Sequence, residues 1–367
     1  MTGEKGLPPP TCCAGRQRCC PASGRRQVPH WQTGQLATPA GMVPRVATRL
    51  QTRDKLGAWR VRWGLGRMDY RVPPGLYAVG DPDGNAPVLV SANYKLSFDR
   101  LRRELAGLSL WLLVLDTGGI NVWCAAGKGT FGTGELVRRL EAVQLDRVIS
   151  HRTIILPQLA APGVAAHEVK RRSGFRVLYG PVRAGDIPAF LKDGAKAAPA
   201  MRLVRFGLLD RLALVPVELV AMARPAGVLF LALLVLNLAG GGPPVALLGR
   251  ALSGFIPFLG AMLAGTVLVP ALLPYLPGRA FAGKGWLSGL LWTAVYAFLI
   301  APGSGWMATA SYFLILPAIA AFLALNFTGS STYTSLSGVV REMGIALPAI
   351  VVSAGLGAVG LIVSRLL

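Results

Sequence analysis

Residues 110–128 read LWLLVLDTGGINVWCAAGK. Six apolar residues in a row, 110–115, form the pattern of a strand covered on both faces. A glycine-containing turn follows, and then a short segment opened by Asn121. A strand buried on both sides needs helices on each face of its sheet, so this stretch points to an α/β fold.

The alternation continues outward. APVLVSAN (86–93), RTIILPQL (152–159) and FRVLYGP (175–181) read as further strands. SFDRLRRELAG (97–107), GELVRRLEAVQL (134–145) and AAHEVKRR (165–172) read as helices, with Ser97 the N-cap of the first. Strands alternating with helices predict a Rossmann-like, doubly wound, mostly parallel sheet over residues 42–200. Ligands in such folds sit at the carboxyl ends of the strands, here the loops SANYK, DTGGINVWCAAGK, LPQLAAPG and YGPVRAGD.

One of these loops carries Cys124, the only cysteine in that region. With Asn121 as cap, Cys124 is the third helical residue, where N–H groups point outward and the dipole favours an anion. Lys128, four residues on, shares its face and adds positive charge. Both features favour the thiolate, the form that binds metal or attacks an electrophile. The competing reading is a small buried hydrophobe, which fits poorly with the flanking Asn121, Gly127, Lys128 and Gly129. Spacing does not say what the thiolate does. No His/Asn pattern of a cysteine hydrolase accompanies it. His151, at a strand edge, and His167, in an amphipathic helix, are the two histidines this division assigns to the fold. No Cys/His cluster has zinc spacing, and GKGTFGTG lacks the GxxxxGK[ST] of a phosphate loop.

Charge divides the 367 residues into two unlike parts. Up to Arg211 lie 32 of the 38 Lys and Arg and 15 of the 17 Asp and Glu. So few charges remain beyond it that the C-terminal part reads as an all-α transmembrane domain over 225–367. Five spans are expected, at 225–241, 251–273, 286–303, 306–326 and 344–364. The third is short, and Pro270 and Pro274 blur the end of the second, which leaves four as the alternative. Residues 201–224, which mix apolar side chains with Asp210, Arg211, Glu218 and Arg224, read as an interfacial linker helix. Basic residues crowd the end that bears the soluble domain, which places that domain in the cytoplasm and the protein in the inner membrane. The net charge of +21 comes without a nucleic-acid recognition motif, so anionic lipid or an acidic protein is the expected counterpart. Residues 1–41 read as a disordered extension, with Met42 as an alternative start. Cys12, Cys13, Cys19 and Cys20 in that extension form vicinal pairs rather than a CxxC site.

The motifs NVWCAAGK (121–128), PGLYAVGDP (74–82), VLVSANYKLSFDRLR (88–102), LPQLAAPGVAAHEVKRRSGF (156–175) and GPVRAGDIPAF (180–190) carry a resemblance. Together with NFTGSSTYTSLSG (326–338), they resemble the mercury-methylating corrinoid protein family, HgcA. The soluble domain is also similar to the corrinoid-binding domain of the corrinoid iron–sulfur protein of the acetyl-CoA pathway. The resemblance implies a cobalamin-type corrinoid, with helix 121–128 capping its lower face and Cys124 as lower axial ligand of cobalt. It implies transfer of a methyl group to mercuric ion, giving methylmercury. It further implies a ferredoxin-like partner with [4Fe–4S] clusters as electron donor, and a methyltetrahydrofolate-linked protein as methyl donor. The chain itself is expected to hold no Fe–S cluster.

Mercuric ion is an electrophile, so the methyl leaves with both bonding electrons and cobalt is left trivalent. An anionic thiolate stabilises that state better than neutral imidazole does. The chain lacks the Asp-x-His-x-x-Gly signature of corrinoid proteins that supply histidine. Around Cys124, the expected corrinoid-binding residues are Asn121, Val122, Trp123, Ala125, Ala126, Gly127 and Lys128. Asn121 caps the helix, Trp123 either packs on the corrin or anchors the cap in the core, and the two alanines leave room for a flat ring. Thr153, Pro157, Gln158, Gly180 and Asp186 are expected on neighbouring loops. Two other functions compete: a membrane-tethered methyl carrier of acetyl-CoA-pathway type, and a transporter with a cytoplasmic domain. The latter predicts charged or broken-helix sites in the spans, which are scarce here.

Overall fold

The computed structural model describes residues 28–238, 240–303, 305–331 and 336–366. Seven strands form one sheet: β1 (Gln32–Thr38), β2 (Gly41–Val46), β3 (Gly75–Val79), β4 (Val88–Ala92), β5 (Leu110–Leu115), β6 (Thr153–Leu156) and β7 (Arg176–Tyr179). Their spatial order is β1-β2-β3-β5-β4-β6-β7. The block β5-β4-β6-β7 is parallel, as the alternation of strands and helices predicts. The three N-terminal strands extend its β5 edge. There β3 runs antiparallel to β5, β2 parallel to β3, and β1 antiparallel to β2, so the sheet is mixed.

Every residue of β4 and β5 is buried, because helices cover both faces. Helices α1 (Thr52–Arg62) and α2 (Lys95–Glu104) precede β5; α3 (Val122–Lys128), α4 (Thr133–Ala142) and α5 (Leu145–Val148) lie between β5 and β6. Helix α6 (Ala166–Ser173) links β6 to β7, and α7 (Ile187–Lys192) follows. Val88, Val90, Leu113 and Leu115 pack with Ala125 of α3, Leu136 and Leu140 of α4 and Val169 of α6. The opposite face, with Leu89, Leu112, Val114 and Ile155, packs with Phe98 and Leu101 of α2 and Phe190 of α7.

The domain begins before Met42. Strand β1 occupies Gln32–Thr38, and Trp31 is buried edge-on against Tyr77 and Phe98, with ring centroids 5.6 and 5.1 Å away. Over residues 28–41 the expected disordered extension is therefore replaced by half a hairpin and a core aromatic. Its polar strand sequence, QTGQLAT, hid it. Residues 1–27, with their four cysteines, lie outside the described residues. His30 joins the fold too, so the histidines there are three.

His30 belongs to a buried ion cluster. Asp54 of α1 receives Lys95 Nζ at 2.7 Å and lies 2.7 Å from His30 Nε2 and 2.8 Å from Arg102 Nη2. Asp99 bridges the same two cations, at 2.6 Å from Lys95 and 2.8 Å from Arg102, and Arg102 also donates to Ala47 O at 2.5 Å. This cluster draws Lys95 into the first turn of α2, so Tyr94 is the N-cap residue rather than Ser97. Burial by itself raises the Asp54 carboxyl, but hydrogen bonds from Lys95, the Gln51 N–H, His30 and Arg102 outweigh it and hold it well below the carboxylate range.

The C-terminal part is a helical bundle. Helix α8 (Leu208–Leu212) leads into α9 (Val215–Leu238), followed by α10 (Pro244–Leu263), α11 (Val269–Leu272), α12 (Phe281–Val295), α13 (Trp306–Asn326) and α14 (Leu336–Leu366). Four segments are long and apolar enough to cross a membrane: Leu208–Leu238, Pro244–Leu272, Trp306–Gly329 and Ser337–Ser364. Helix α12 is shorter and continues through a π-turn over Tyr296–Ile300. It packs closely on α13, where a methyl group at Gly285 would stand 2.6 Å from Ala320 O and one at Gly289 2.6 Å from Pro317 Cα. The interfacial linker expected at 201–224 is not a separate helix. Helix α9 runs unbroken through Pro225, as membrane helices tolerate, so the helix that carries the first span starts some ten residues before the span read from the charge pattern. At the domain end of the bundle, Arg211 Nη1 donates to Pro270 O (3.1 Å) and Ala271 O (2.8 Å), and Lys284 Nζ to Leu273 O (2.5 Å). These cations satisfy the orphan carbonyls that end α11.

Removing Asp54 strands Lys95 and Arg102 in the core. Asp54→Ala is expected to destabilise the domain by about 3–5 kcal/mol in denaturant titration. Because the folded carboxyl titrates below its unfolded value, its contribution is present above about pH 4 and lost on acidification. A wild-type stability profile steeper below that pH than the Asp54→Ala profile is the expected signature.

Candidate functional site

Strand β4 ends at Ala92, and the next residue, Asn93, is 2 % exposed. Its Oδ1 accepts the N–H groups of Thr117 (3.1 Å) and Gly119 (2.9 Å). Its Nδ2 donates to Asp116 Oδ1 at 3.0 Å, and the Thr117 hydroxyl lies 2.8 Å from Oδ1. Gly118 and Gly119 both take left-handed backbone, at φ +66° and +77°, which glycine adopts without strain. One buried carboxamide thus shapes the whole TGGI turn and sets where α3 begins. From the other side, Glu135 of α4 accepts the Asp116 N–H at 2.9 Å. Burial raises the Glu135 carboxyl, but that bond and those from Arg139 and Arg138 outweigh it, and the group sits below its ordinary range.

Asn121 then caps α3 as its residue type predicts, its Oδ1 accepting the Cys124 N–H at 2.9 Å. Cys124 is the third helical residue and partly buried. Ala125 and Ala126 are buried in the core, so the helical repeat turns Cys124, Gly127 and Lys128 toward the opposite face. A methyl group at Gly163 would lie 2.3 Å from Phe131 O and 3.0 Å from Ala126 Cα; only glycine lets the 157–164 loop seat against α3. At Gly127 an added methyl would meet nothing within 4 Å. Gly127, next to last in α3, has no packing reason to lack a side chain, and it leaves the face beside Cys124 open.

Beside α3 lies a cleft of about 380 Å³ at the carboxyl ends of β4, β6 and β7. The crossovers from β4 and β6 leave toward opposite faces of the sheet, which makes this the topological switch point of the parallel block. Leu89, Val90, Ser91, Ile155 and Leu156 form its floor, and Asn121, Val122 and Trp123 one wall. Ser97, Arg100 and Leu101 of α2 form the other. Pro157 and Gly180 line it, as expected for residues on these loops, along with Pro181, Val182, Ala184 and Ile187.

Several expected residues stand elsewhere. Cys124, which follows the lining residue Trp123, is not among the residues lining the cleft. Gln158 lies between two lining residues but accepts Arg202 Nη1 at 2.7 Å. Asp186 is partly buried at the start of α7, outside the lining. Thr153 is at the amino end of β6, beside His151 and Pro87, and so at the wrong edge of the sheet for this site. Trp123 is 38 % exposed, which removes the reading that it anchors the cap in the core. Lys128 is exposed. Sequence reasoning misses the wall from α2, because it lies on a helix and not on one of the strand-end loops. Ser97 and Arg100 follow within a turn or so of the SANYK loop, a spacing that signals them.

Residues 66–191 match the family described as CO dehydrogenase/acetyl-CoA synthase delta subunit. Among curated proteins, the acetyl-CoA decarbonylase/synthase complex subunit gamma of Methanopyrus kandleri is 37 % identical over 132 residues, covering 35 % of this chain and 28 % of that protein. The subunit gamma of Archaeoglobus fulgidus is 31 % identical over 128 residues, 34 % of this chain and 27 % of its own. Subunit gamma 2 of Methanosarcina thermophila is 34 % identical over 121 residues, 32 % of this chain and 25 % of its own. The chain spans little more than a quarter of the length of these relatives. The shared segment runs from just before β3 to α7 and contains the switch-point cleft and α3.

Asn93→Ala leaves the Thr117 and Gly119 N–H groups without their acceptor, at a cost of about 1–3 kcal/mol per buried donor. Faster hydrogen exchange across residues 117–124, with exchange in β4 and β5 unchanged, is the expected outcome.

Proposed function

We propose that the chain is a membrane-tethered, corrinoid-dependent methyl-transfer protein with Cys124 as lower axial ligand of cobalt. The observation that carries this reading is the Asn121-capped first turn of α3, which presents a thiol on an open face beside the switch-point cleft. Similarity of residues 66–191 to acetyl-CoA decarbonylase/synthase subunits, and the resemblance of the sequence to corrinoid-binding domains, support it.

A bound corrinoid supplies a cobalt centre that accepts a methyl group and passes it on. The residues of this chain hold and orient it. Cys124 would supply a sulfur ligand to that cobalt, Asn121 caps the turn that carries it, and Ala125 and Ala126 lock α3 against the core. Gly127 leaves room beside the sulfur, and Trp123, Pro157 and Gly180 shape the adjoining cleft.

The acceptor of the methyl group separates two readings. The acetyl-CoA decarbonylase/synthase relatives favour a methyl carrier of acetyl-CoA-pathway type. The NVWCAAGK motif, with its resemblance to the mercury-methylating family, favours mercuric ion. Under either reading protein partners are required: a methyltetrahydrofolate-linked methyl donor and, for mercury, a ferredoxin-like [4Fe–4S] electron donor. Arg202, Arg205, Arg211, Arg279 and Lys284 at the domain end of the bundle, against Arg250 at the other, support a cytoplasmic domain on the inner membrane. No specific observation favours a transporter.

Reconstituted with corrinoid, the wild-type protein is expected to show a cobalt spectrum that Cys124→Ala alters, together with loss of methyl transfer in the variant. An unchanged spectrum with full transfer in Cys124→Ala sinks the assignment. Offering mercuric ion and an acetyl-CoA synthase in parallel decides between the two acceptors. Gly127→Ala is expected to stabilise the corrinoid-free protein by up to about 1 kcal/mol while weakening corrinoid binding in a titration.

A further inference from the structure

Helix α1 presents an apolar stripe that the cleft does not use. Leu56, Trp59 and Trp63 fall at i, i+3 and i+7, on one side of the helix. Leu56 and Trp59 are each 61 % exposed, and the Trp59 and Trp63 rings stand 6.0 Å apart. Left-handed Gly64 and Gly66 then turn the chain and leave Leu65 and Met68 exposed as well. The exposed charges of α1 are all positive: Arg53, Lys55, Arg60 and Arg62. Its one acid, Asp54, is consumed by the buried ion cluster.

The turn after α1 adjoins the bundle. A methyl group at Gly64 would lie 3.5 Å from Val220 Cγ1 of α9. A helix that ends at Leu238 needs about 20 residues to cross roughly 30 Å of hydrocarbon at 1.5 Å per residue, which puts its domain-side boundary near Leu219, beside Glu218. Val220 stands at that boundary, so the turn after α1 sits at the membrane interface. Leu208 and Leu209 of α8, which leads directly into α9, are also exposed, Leu209 to 82 %.

We propose that α1 and the turn after it form a docking surface for anionic phospholipid, with Trp59 and Trp63 in the interface and the four cations on headgroup phosphates. Charge complementarity and continuity with the membrane-crossing helix select lipid as the occupant; interfacial tryptophans beside basic side chains suit that layer. The proposal is independent of what the cleft binds. Helix α1 then serves on two sides at once, its inner side fixed to α2 by the ion cluster and its outer side against the bilayer.

The test uses the full chain in nanodiscs of phosphatidylcholine alone or mixed with phosphatidylglycerol, with and without brominated acyl chains. The emission lost in the Trp59→Phe/Trp63→Phe variant is expected to be blue-shifted and quenched by the brominated lipid. Hydrogen exchange over residues 52–63 is expected to slow when phosphatidylglycerol is present, and Lys55→Glu/Arg62→Glu to lose that dependence while keeping its helical circular dichroism. The exchange measurement on the wild type decides the matter if the double tryptophan variant fails to fold. Emission that stays open to aqueous acrylamide and blind to brominated lipid overturns the proposal. So does protection that appears only when a soluble partner protein is added.

Discussion

The geometry at the carboxyl edge of the sheet depends on the Asn93 side chain. A strand that ends in the core must hand its neighbours' loops something to bind, because buried N–H groups without acceptors are expensive. Asn93 provides an acceptor for two backbone donors of the next crossover and a donor for Asp116, so two loops far apart in sequence become one unit. The α3 side of the candidate site lies downstream of that link: the turn sets Asn121, Asn121 sets α3, and α3 sets where the sulfur stands.

The two faces of the sheet use polar groups differently. On the α2 face, Asp54, Asp99, Lys95 and Arg102 neutralise one another in a dry cluster that fastens α1 to α2. Such clusters are rigid, since any single member left behind is an uncompensated charge. On the α3 face no such buried ion cluster forms among the described residues, and α3 is seated mainly by close apolar contact: Ala126 against Gly163, with Phe131 in the core. That face therefore keeps an outer surface free for a ligand.

The parallel block and most of its helices were legible because both-face burial writes continuous apolar runs, and β5 is the clearest of them. Strand β1 was not, since QTGQLAT carries no such run and is held in place through Trp31. The cap helix was read correctly because Asn121 and Cys124 are three residues apart and their relation is local. Asp54 could not be read as buried, as its partners Lys95 and Arg102 lie 41 and more residues away. Thr153 opens β6, a strand length away from the loop at that strand's carboxyl end, and period-two patterning does not mark which end of a short apolar run a residue occupies. The span of α9 was clipped because Pro225 and Arg224 look like a boundary in sequence yet sit inside one helix. The resemblance supplied the corrinoid, which no spacing in this chain specifies.

The clasp between Arg211 and the carbonyls of Pro270 and Ala271 limits how the domain can travel. The chain leaving the sheet is tied down at Met201, whose carbonyl accepts the Val182 N–H, and at Arg202, which holds Gln158. Phe206 stacks on Phe327 only a few residues later, and Arg211 follows. No slack remains for a swinging arm. A domain on a long tether sweeps out a volume; this one is held at a fixed height and attitude beside the apolar bundle. Whatever occupies the switch-point cleft must come to it, because the cleft cannot swing out to meet a ligand.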